Sequence, residues 1–354
     1  MKLPEGLSQQ DFDSTVASLS ALPDQITDIL TVGQQLTLPD NYRDFNKVVV
    51  SGMGGSNLGA RIIASVFADE LKMPIIISAD YQIPAFVDAN TLFILSSYSG
   101  GTEETLASYQ EAKRQGAKCL VITAESADNQ LVSLAKTDNL PILAFQATHN
   151  PSGQPRLAVG YTCFALSAVL DKLGIINLNQ LSIKNTLQKM KGWGDAMLPD
   201  KEDNDAAKIA GGLKGRQIVL IAGDFLAGNL HTLRNQLNEN SKNFASYLVL
   251  PDLNHHAMEG LAKPDSNKDD IIFVFFDSSL YSEKVQQRAK LTKQVVAKNG
   301  IAFADIQLLA HTKLGQSLEM LQLGAWVTLY LALENGVNPL TIPWVDWFKA
   351  ELKK

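Results

Sequence analysis

Residues 48–56 read Val48-Val49-Val50-Ser51-Gly52-Met53-Gly54-Gly55-Ser56, an apolar β-branched run that ends on a glycine-rich loop and is followed by a helix-period stretch. Three successive valines favour an extended strand, because branched β-carbons pack well on a pleated surface. Glycines permit a tight exit, and a helix starting just beyond them would aim backbone N–H groups into the loop. Strand, glycine loop and helix form the opening unit of a parallel α/β sheet. Apolar runs at 75–78, 92–96, 120–123 and 142–145, separated by amphipathic segments, continue the alternation. Such unbroken apolar runs belong to strands covered on both faces.

The pattern then closes and reopens. Residues 157–173 read as a helix stopped near Gly174, and a polar stretch over 177–205, ending Leu198-Pro-Asp-Lys-Glu-Asp-Asn-Asp205, reads as a linker. Ile218–Ala222 followed by Gly223 repeats the strand–glycine opening, with a helix through Gln236 and further strands at 247–250, 271–276 and 301–303. Residues 317–336 form a long helical period, and a proline-punctuated segment with a last short helix follows. A length of 354 residues suits two domains of ordinary size. The expected fold class is α/β: two doubly wound parallel-sheet domains with a C-terminal helical segment. Its boundaries are an N-terminal helical extension over 1–40, a first domain over 41–176, the linker over 177–205 and a second domain over 206–354.

Composition narrows the partners. A formal charge of -6 lacks the clustered cations that hold a phosphate backbone, so no nucleic-acid partner is expected. An anionic small molecule remains compatible, since local donors decide such binding. The two cysteines, Cys119 and Cys163, sit in apolar or helical runs and read as buried reduced thiols. The opening Met-Lys-Leu-Pro-Glu-Gly has no apolar core of a signal peptide, and no run reaches the ~18 residues of a membrane span. A cytoplasmic location without a membrane partner is the expectation.

The first loop alone admits three interpretations: an anion site on backbone amides, a tight turn, or a dinucleotide fingerprint supported by Asp80 near the next strand. The fingerprint spacing fails, because the third glycine would fall on Asn57, and no phosphate-loop lysine follows. That weakens the rival of a nicotinamide-dependent oxidoreductase. The second loop, Ser96-Ser97-Tyr98-Ser99-Gly100-Gly101-Thr102, repeats the strand–loop–helix context and adds hydroxyls. Clustered Ser and Thr hydroxyls at a helix start suit a phosphoryl group held without lysine or metal. Ordinary N-capping by Ser99 or Thr102 is the plain alternative, but it uses one hydroxyl rather than a cluster.

The pair Ser51–Ser56 and Ser96–Leu106 resembles the sugar isomerase, or SIS, domain. Arg234-Asn-Gln-Leu-Asn-Glu-Asn-Ser-Lys242, Leu250-Pro-Asp-Leu-Asn-His-His256 and Pro155-Arg156 with the following Leu157-Ala-Val-Gly-Tyr161 are similar to the bifunctional phosphoglucose/phosphomannose isomerases. The resemblance runs from about residue 47 to the C-terminus and implies two SIS-type domains. It implies an aldose–ketose isomerase acting on glucose 6-phosphate and fructose 6-phosphate, with mannose 6-phosphate as a further candidate. Gly54, Gly55, Ser56, Ser97, Ser99 and Thr102 would hold this phosphorylated sugar. Glu239 of the Asn-Glu-Asn segment would be the base that shuttles a proton through a cis-enediol. Arg156 would face the enediolate with its permanently charged fork of donors. His255 and Lys349 would open the ring, and the family's use of that histidine in the opposite subunit implies a homodimer with shared active sites. The chemistry calls for no metal or redox cofactor, so none is expected.

Away from the resemblance each of these residues has a plainer role. Glu239 would be a solvated charge near a helix end, Arg156 a surface cation, and Lys349 one of several lysines complementing a helix dipole. The family's Asn-His-Asn-Glu segment here reads Asn254-His255-His256-Ala257, a departure at the last two positions. Side chains at adjacent positions diverge on most backbones, and no further ligand set accompanies the two histidines, so a metal site is not expected. Because SIS domains also serve as sensors, a non-catalytic sugar-phosphate-binding regulator is the alternative to an enzyme.

Overall fold

The computed structural model describes residues 3–352 and residue 354. In chain order its first elements are α1 (Gln9–Ser20), α2 (Leu22–Gln34), β1 (Lys47–Ser51), α3 (Leu58–Val66), β2 (Ile75–Ser78), β3 (Thr91–Ser96), α4 (Glu103–Arg114), β4 (Lys118–Ala124), α5 (Gln130–Asp138), β5 (Ile142–Phe145), α6 (Val159–Lys172) and α7 (Gln180–Ala196). They continue as α8 (Asp205–Leu213), β6 (Gln217–Gly223), α9 (Ala227–Asn240), β7 (Ala245–Leu250), α10 (Asn267–Asp270), β8 (Ile271–Ser278), α11 (Glu283–Lys298), β9 (Ala302–Leu308), α12 (Lys313–Glu334) and α13 (Pro343–Glu351). Two compact units result: residues 20–189 with 225–229, and residues 3–19, 190–224 and 230–352.

The first unit is built on a five-stranded sheet, order β2-β1-β3-β4-β5, with every pairing parallel. All six residues of β3 are buried, as the unbroken apolar run requires of a central strand. On one face Val49, Phe93, Leu95 and Val121 pack with Tyr109 and Ala112 of α4 and Leu131 and Ala135 of α5. Each large side chain buried there contributes about 2–3 kcal/mol. Elsewhere in the unit α2 packs on α6. A Cβ on Gly33 would lie 2.5 Å from the Cβ of Ala168, so glycine is what lets these two helices approach.

The second unit holds a four-stranded parallel sheet, order β7-β6-β8-β9. Ile221, Phe273 and Phe275 pack with Ala289 and Val296 of α11. Strand β9 reaches Leu308, further than the run 301–303 suggests, because it is an edge strand whose side chains alternate between half-buried and exposed. Its polar Asp305 and Gln307 break the apolar signal. Helix α12 is buried almost all round and packs on α8. Among the described residues no helix is long and apolar enough to cross a membrane.

The boundaries expected from the sequence and this division differ for a physical reason. Residues 22–34, placed in an N-terminal extension, supply buried Ile26 and Ile29 to the first unit through α2. Residues 177–205, expected as a linker, carry the 17-residue α7, which buries Ile183, Leu187 and Met190. Gln322 donates to the carbonyl of Met190 at 2.9 Å, which ties the second half of α7 to α12.

Sheet order decides where chemistry can sit. In the first sheet β1 lies between β2 and β3, so the chain leaves β1 toward one side and returns on the other. The crevice between the carboxyl ends of β1 and β3 is such a reversal point, where open α/β sheets bind ligands. Both loops singled out in the sequence leave those two ends.

Candidate active site

In the first loop, residues 54–57 form a 3-10 turn leading into α3. Gly54 adopts φ +50, and an added Cβ there or on Gly55 would meet nothing within 4 Å among the described residues. The backbone at both positions therefore borders open space. Gly52 is required for a different reason, since its Cβ would press to 2.7 Å of the Ser96 carbonyl oxygen. Ser56 joins the two loops: its Oγ accepts from the Tyr98 N–H at 3.1 Å, and its carbonyl accepts from Ser96 Oγ at 2.7 Å.

The second loop is held from within. Ser97 and Thr102 share a hydroxyl hydrogen bond of 2.7 Å, and the Gly100 N–H donates to Ser97 Oγ at 3.1 Å. Ser97 is buried whereas Ser99 is exposed, its Oγ 3.5 Å from the Gly101 N–H it accepts. Thr102 occupies the N-cap of α4 yet makes no side-chain capping bond among the described residues. Capping therefore does not account for these hydroxyls, and the helix start they surround is a ready place for anionic oxygens. Glu103 and Glu104 stand in the first turn of α4, and Tyr81, whose phenol is raised above its ordinary pKa by partial desolvation and then by these two carboxylates, bonds to Glu103.

Asn129 holds the loop from outside. Its Nδ2 donates to Thr123 Oγ1 and to the Ala124 carbonyl, both at 2.7 Å, and its Oδ1 caps α5 at the Val132 N–H. Thr123 Oγ1 donates in turn to the Ser97 carbonyl at 2.7 Å. Asn129 and Thr123 lie outside any recognisable motif, so spacing alone does not single them out.

Arg156 lies in the 3-10 turn Pro155–Leu157 and is buried, with Nη1 donating to Gln154 Oε1 at 2.9 Å. Gln25 of α2 fixes this segment by donating to the carbonyls of His149 and Leu157 and accepting from the Gly160 N–H. The surface-cation alternative for Arg156 thus gives way to a guanidinium in a braced turn of the same unit as both loops.

The second unit carries the other sequence candidates. Glu239 is half-buried in the last turn of α9, between two anchored asparagines. Asn238 Nδ2 donates to the carbonyls of Arg234 and Ala245, while Asn240 Nδ2 donates to Thr328 Oγ1 of α12 at 3.1 Å. Lys242, at φ +48, turns the chain and donates to the Asn338 carbonyl. His255 is exposed at the end of the 3-10 turn Asp252–His255. Next to it Asn254 donates to Thr292 Oγ1 at 2.7 Å and accepts from Arg288, both on α11. Lys349 is exposed on α13, a helix with no buried residue and with Trp344, Trp347 and Phe348 exposed.

The departure at 256–257 is absorbed locally. His256 is exposed and 3.6 Å from Asp252, whereas Ala257 packs against the core around Phe273. Among the described residues no three His, Cys, Asp or Glu side chains group to hold a metal ion. Burial pushes both thiols, Cys119 and Cys163, up to about 12, far from a nucleophile's range.

Comparison with known proteins gives a consistent picture. Residues 202–352 match the bacterial phospho-glucose isomerase C-terminal SIS domain, and residues 41–150 match the SIS domain. The chain is 30% identical to a bifunctional phosphoglucose/phosphomannose isomerase of Caldicellulosiruptor bescii, over 95% of this chain and 98% of that protein. It is 29% identical to the protein of the same name from Aquifex aeolicus, over 88% and 91% respectively. In fold it resembles the crystal structure of tagatose-6-phosphate ketose/aldose isomerase from Escherichia coli, with a TM-score of 0.70 at 16% identity, covering 96% of each chain.

Proposed function

This chain belongs to the bifunctional phosphoglucose/phosphomannose isomerase family, and we propose that it interconverts glucose 6-phosphate and fructose 6-phosphate, with mannose 6-phosphate as its second aldose. The observation that carries this is the pair of loops at the ends of β1 and β3. They are joined through Ser56, border open space at Gly54 and Gly55, and gather hydroxyls round an uncapped helix start. Amides and hydroxyls of this kind suit a phosphate dianion without requiring a cation.

The chemistry follows from the substrate. Opening the sugar ring exposes a carbonyl, and a base then removes the proton from the adjacent carbon. The same proton returns to the neighbouring carbon through a planar enediol. Glucose and mannose 6-phosphates differ only at the carbon that loses its proton, so one enediol serves both. Glu239 is the base, kept in place by the anchored Asn238 and Asn240. Arg156 stabilises the enediolate with a charge that no ordinary pH removes. His255 and Lys349 open the ring, and the exposure of His255 suits a role in the site of a second copy, making the working form a homodimer. The buried unreactive thiols accord with a reducing cytoplasmic setting.

The test is a coupled assay of fructose 6-phosphate to glucose 6-phosphate on the wild type and Glu239→Gln. We expect wild-type turnover and a loss of at least about 100-fold in kcat for the variant, the usual scale of general-base removal. A wild type without turnover leaves only a sugar-phosphate binder. Full activity in Glu239→Gln removes the base assignment alone.

A further inference from the structure

We propose that Asn150 is a positioning residue that couples the phosphate loop to Arg156, an inference that rests on the isomerase function above. Asn150 is 5% exposed, and its single amide group spans two parts of the first unit. Nδ2 donates to Tyr98 Oη at 3.3 Å and to the Gln154 carbonyl at 3.0 Å, while Oδ1 accepts from Ser152 Oγ at 2.7 Å. On one side, Tyr98 sits between Ser97 and Ser99, and its N–H donates to Ser56 Oγ, so it belongs to both halves of the phosphate cradle. On the other, Gln154 accepts from Arg156 Nη1 at 2.9 Å.

Both ends of this link are stiff. The Tyr98 ring meets Phe145 edge-on at 6.1 Å, and Phe145 stacks on Tyr161 at 5.0 Å. Tyr161 donates to Asp28 at 2.8 Å and accepts from the His149 N–H at 3.2 Å, beside Asn150 itself. Burial raises the phenol of Tyr98 above its ordinary pKa, so Oη stays a neutral hydroxyl able to accept from the amide. The turn over 150–153 closes with the Gly153 N–H donating to the Asn150 carbonyl at 3.0 Å, at a glycine with φ +66.

The link matters because a hexose phosphate carries its reacting carbons and its phosphate at a fixed span. A guanidinium aimed at C1 and C2 is correctly placed only if its distance from the phosphate cradle is held, and errors near 1 Å are costly. Cutting either half of the link gives a different kinetic signature. Tyr98→Phe removes only the bond to the loop, and should raise KM and weaken inorganic phosphate binding about 5–10-fold with kcat within twofold. Asn150→Asp can still bond Tyr98, whose hydroxyl then donates, but faces the Gln154 carbonyl with a second acceptor. It should lower kcat about tenfold while phosphate affinity holds. Asn150→Ala should show both effects.

The variants are compared in the fructose 6-phosphate assay and by phosphorus NMR titration of inorganic phosphate. Separate KM and kcat signatures in Tyr98→Phe and Asn150→Asp support the coupling role. Wild-type constants in both, or equal loss of kcat and phosphate affinity in both, overturn it, because a purely structural residue would loosen everything together. If Asn150→Ala fails to fold, the other two variants, which nearly keep its volume and that of Tyr98, decide. A wild type that binds phosphate but does not turn over sinks the isomerase function, and the phosphate affinities of the variants still decide whether Asn150 holds the loop.

Discussion

Gly100→Ala is the substitution whose cost can be worked most directly from the structure. Gly100 has φ +70, and a Cβ there would lie 1.9 Å from Asn129 Oδ1 and 2.1 Å from its Cγ. The left-handed backbone costs a residue with a Cβ about 1–2 kcal/mol. The contact would be mild if Asn129 could swing aside, but its amide is fixed by Thr123 Oγ1, the Ala124 carbonyl and the Val132 N–H. Moving it forfeits an N-cap, about 1 kcal/mol, and leaves buried polar groups unpaired, about 1–3 kcal/mol. The expected loss is about 3–6 kcal/mol in unfolding free energy, with a rise in KM for phosphorylated sugar as the loop shifts. All four tryptophans, Trp193, Trp326, Trp344 and Trp347, lie in the second unit, so their fluorescence is the wrong probe. Far-ultraviolet circular dichroism in urea, with hydrogen exchange read across α5, reports the first unit. Asn129→Ala removes the obstacle, so the double variant should be less unstable than the two single costs added, by about 2 kcal/mol. An alanine at position 100 within about 1 kcal/mol of wild type with unchanged KM, or a strictly additive double variant, would refute the account.

Three further outcomes follow from the loop's hydrogen bonds and from the burial of the thiols. Thr102→Val keeps the shape of the side chain but removes the hydroxyl shared with buried Ser97, and should raise KM for fructose 6-phosphate about 5–10-fold with a small fall in melting temperature; an unchanged KM would detach Thr102 from phosphate binding. Cys119 and Cys163, held at about 12 by burial, should resist iodoacetamide at pH 8 in the native protein and react at once in denaturant. Since the folded thiols keep their protons longer than the unfolded ones, their contribution is present below the unfolded thiol pKa of about 8.5 and is lost as pH rises toward the folded value. Replacing both by alanine should flatten that alkaline decline in urea midpoints, and an identical decline would show that other groups cause it.

The strands and their order of appearance were legible because β1, β3, β4, β6 and β8 each carry an unbroken apolar run at their centre, which a parallel strand covered on both faces requires. Strand β9 was cut short for the converse reason, since an edge strand exposes every second position and here fills two of them, 305 and 307, with polar residues. The segments at 22–34 and 180–196 escaped notice as core elements because their few apolar residues matter only against a partner helix far along the chain.

The sequence by itself determined that two glycine- and hydroxyl-rich loops follow strands, and the family resemblance attached Glu239, Arg156, His255 and Lys349 to a chemistry. The loops are local properties, fixed by residue type and spacing, whereas the four roles are what the resemblance implies. Tertiary structure alone decided that β1 and β3 are neighbours, which brings Ser56 to Tyr98 and turns two loops into one cradle. It also decided that Thr102 turns its hydroxyl to Ser97 rather than capping α4, and that Asn129 and Asn150, each a lone amide without a motif, brace the cradle and tie it to the Arg156 turn. A hydrogen bond depends on a few ångströms and an angle between residues dozens of positions apart, and that relation exists only once the sheet has set its order.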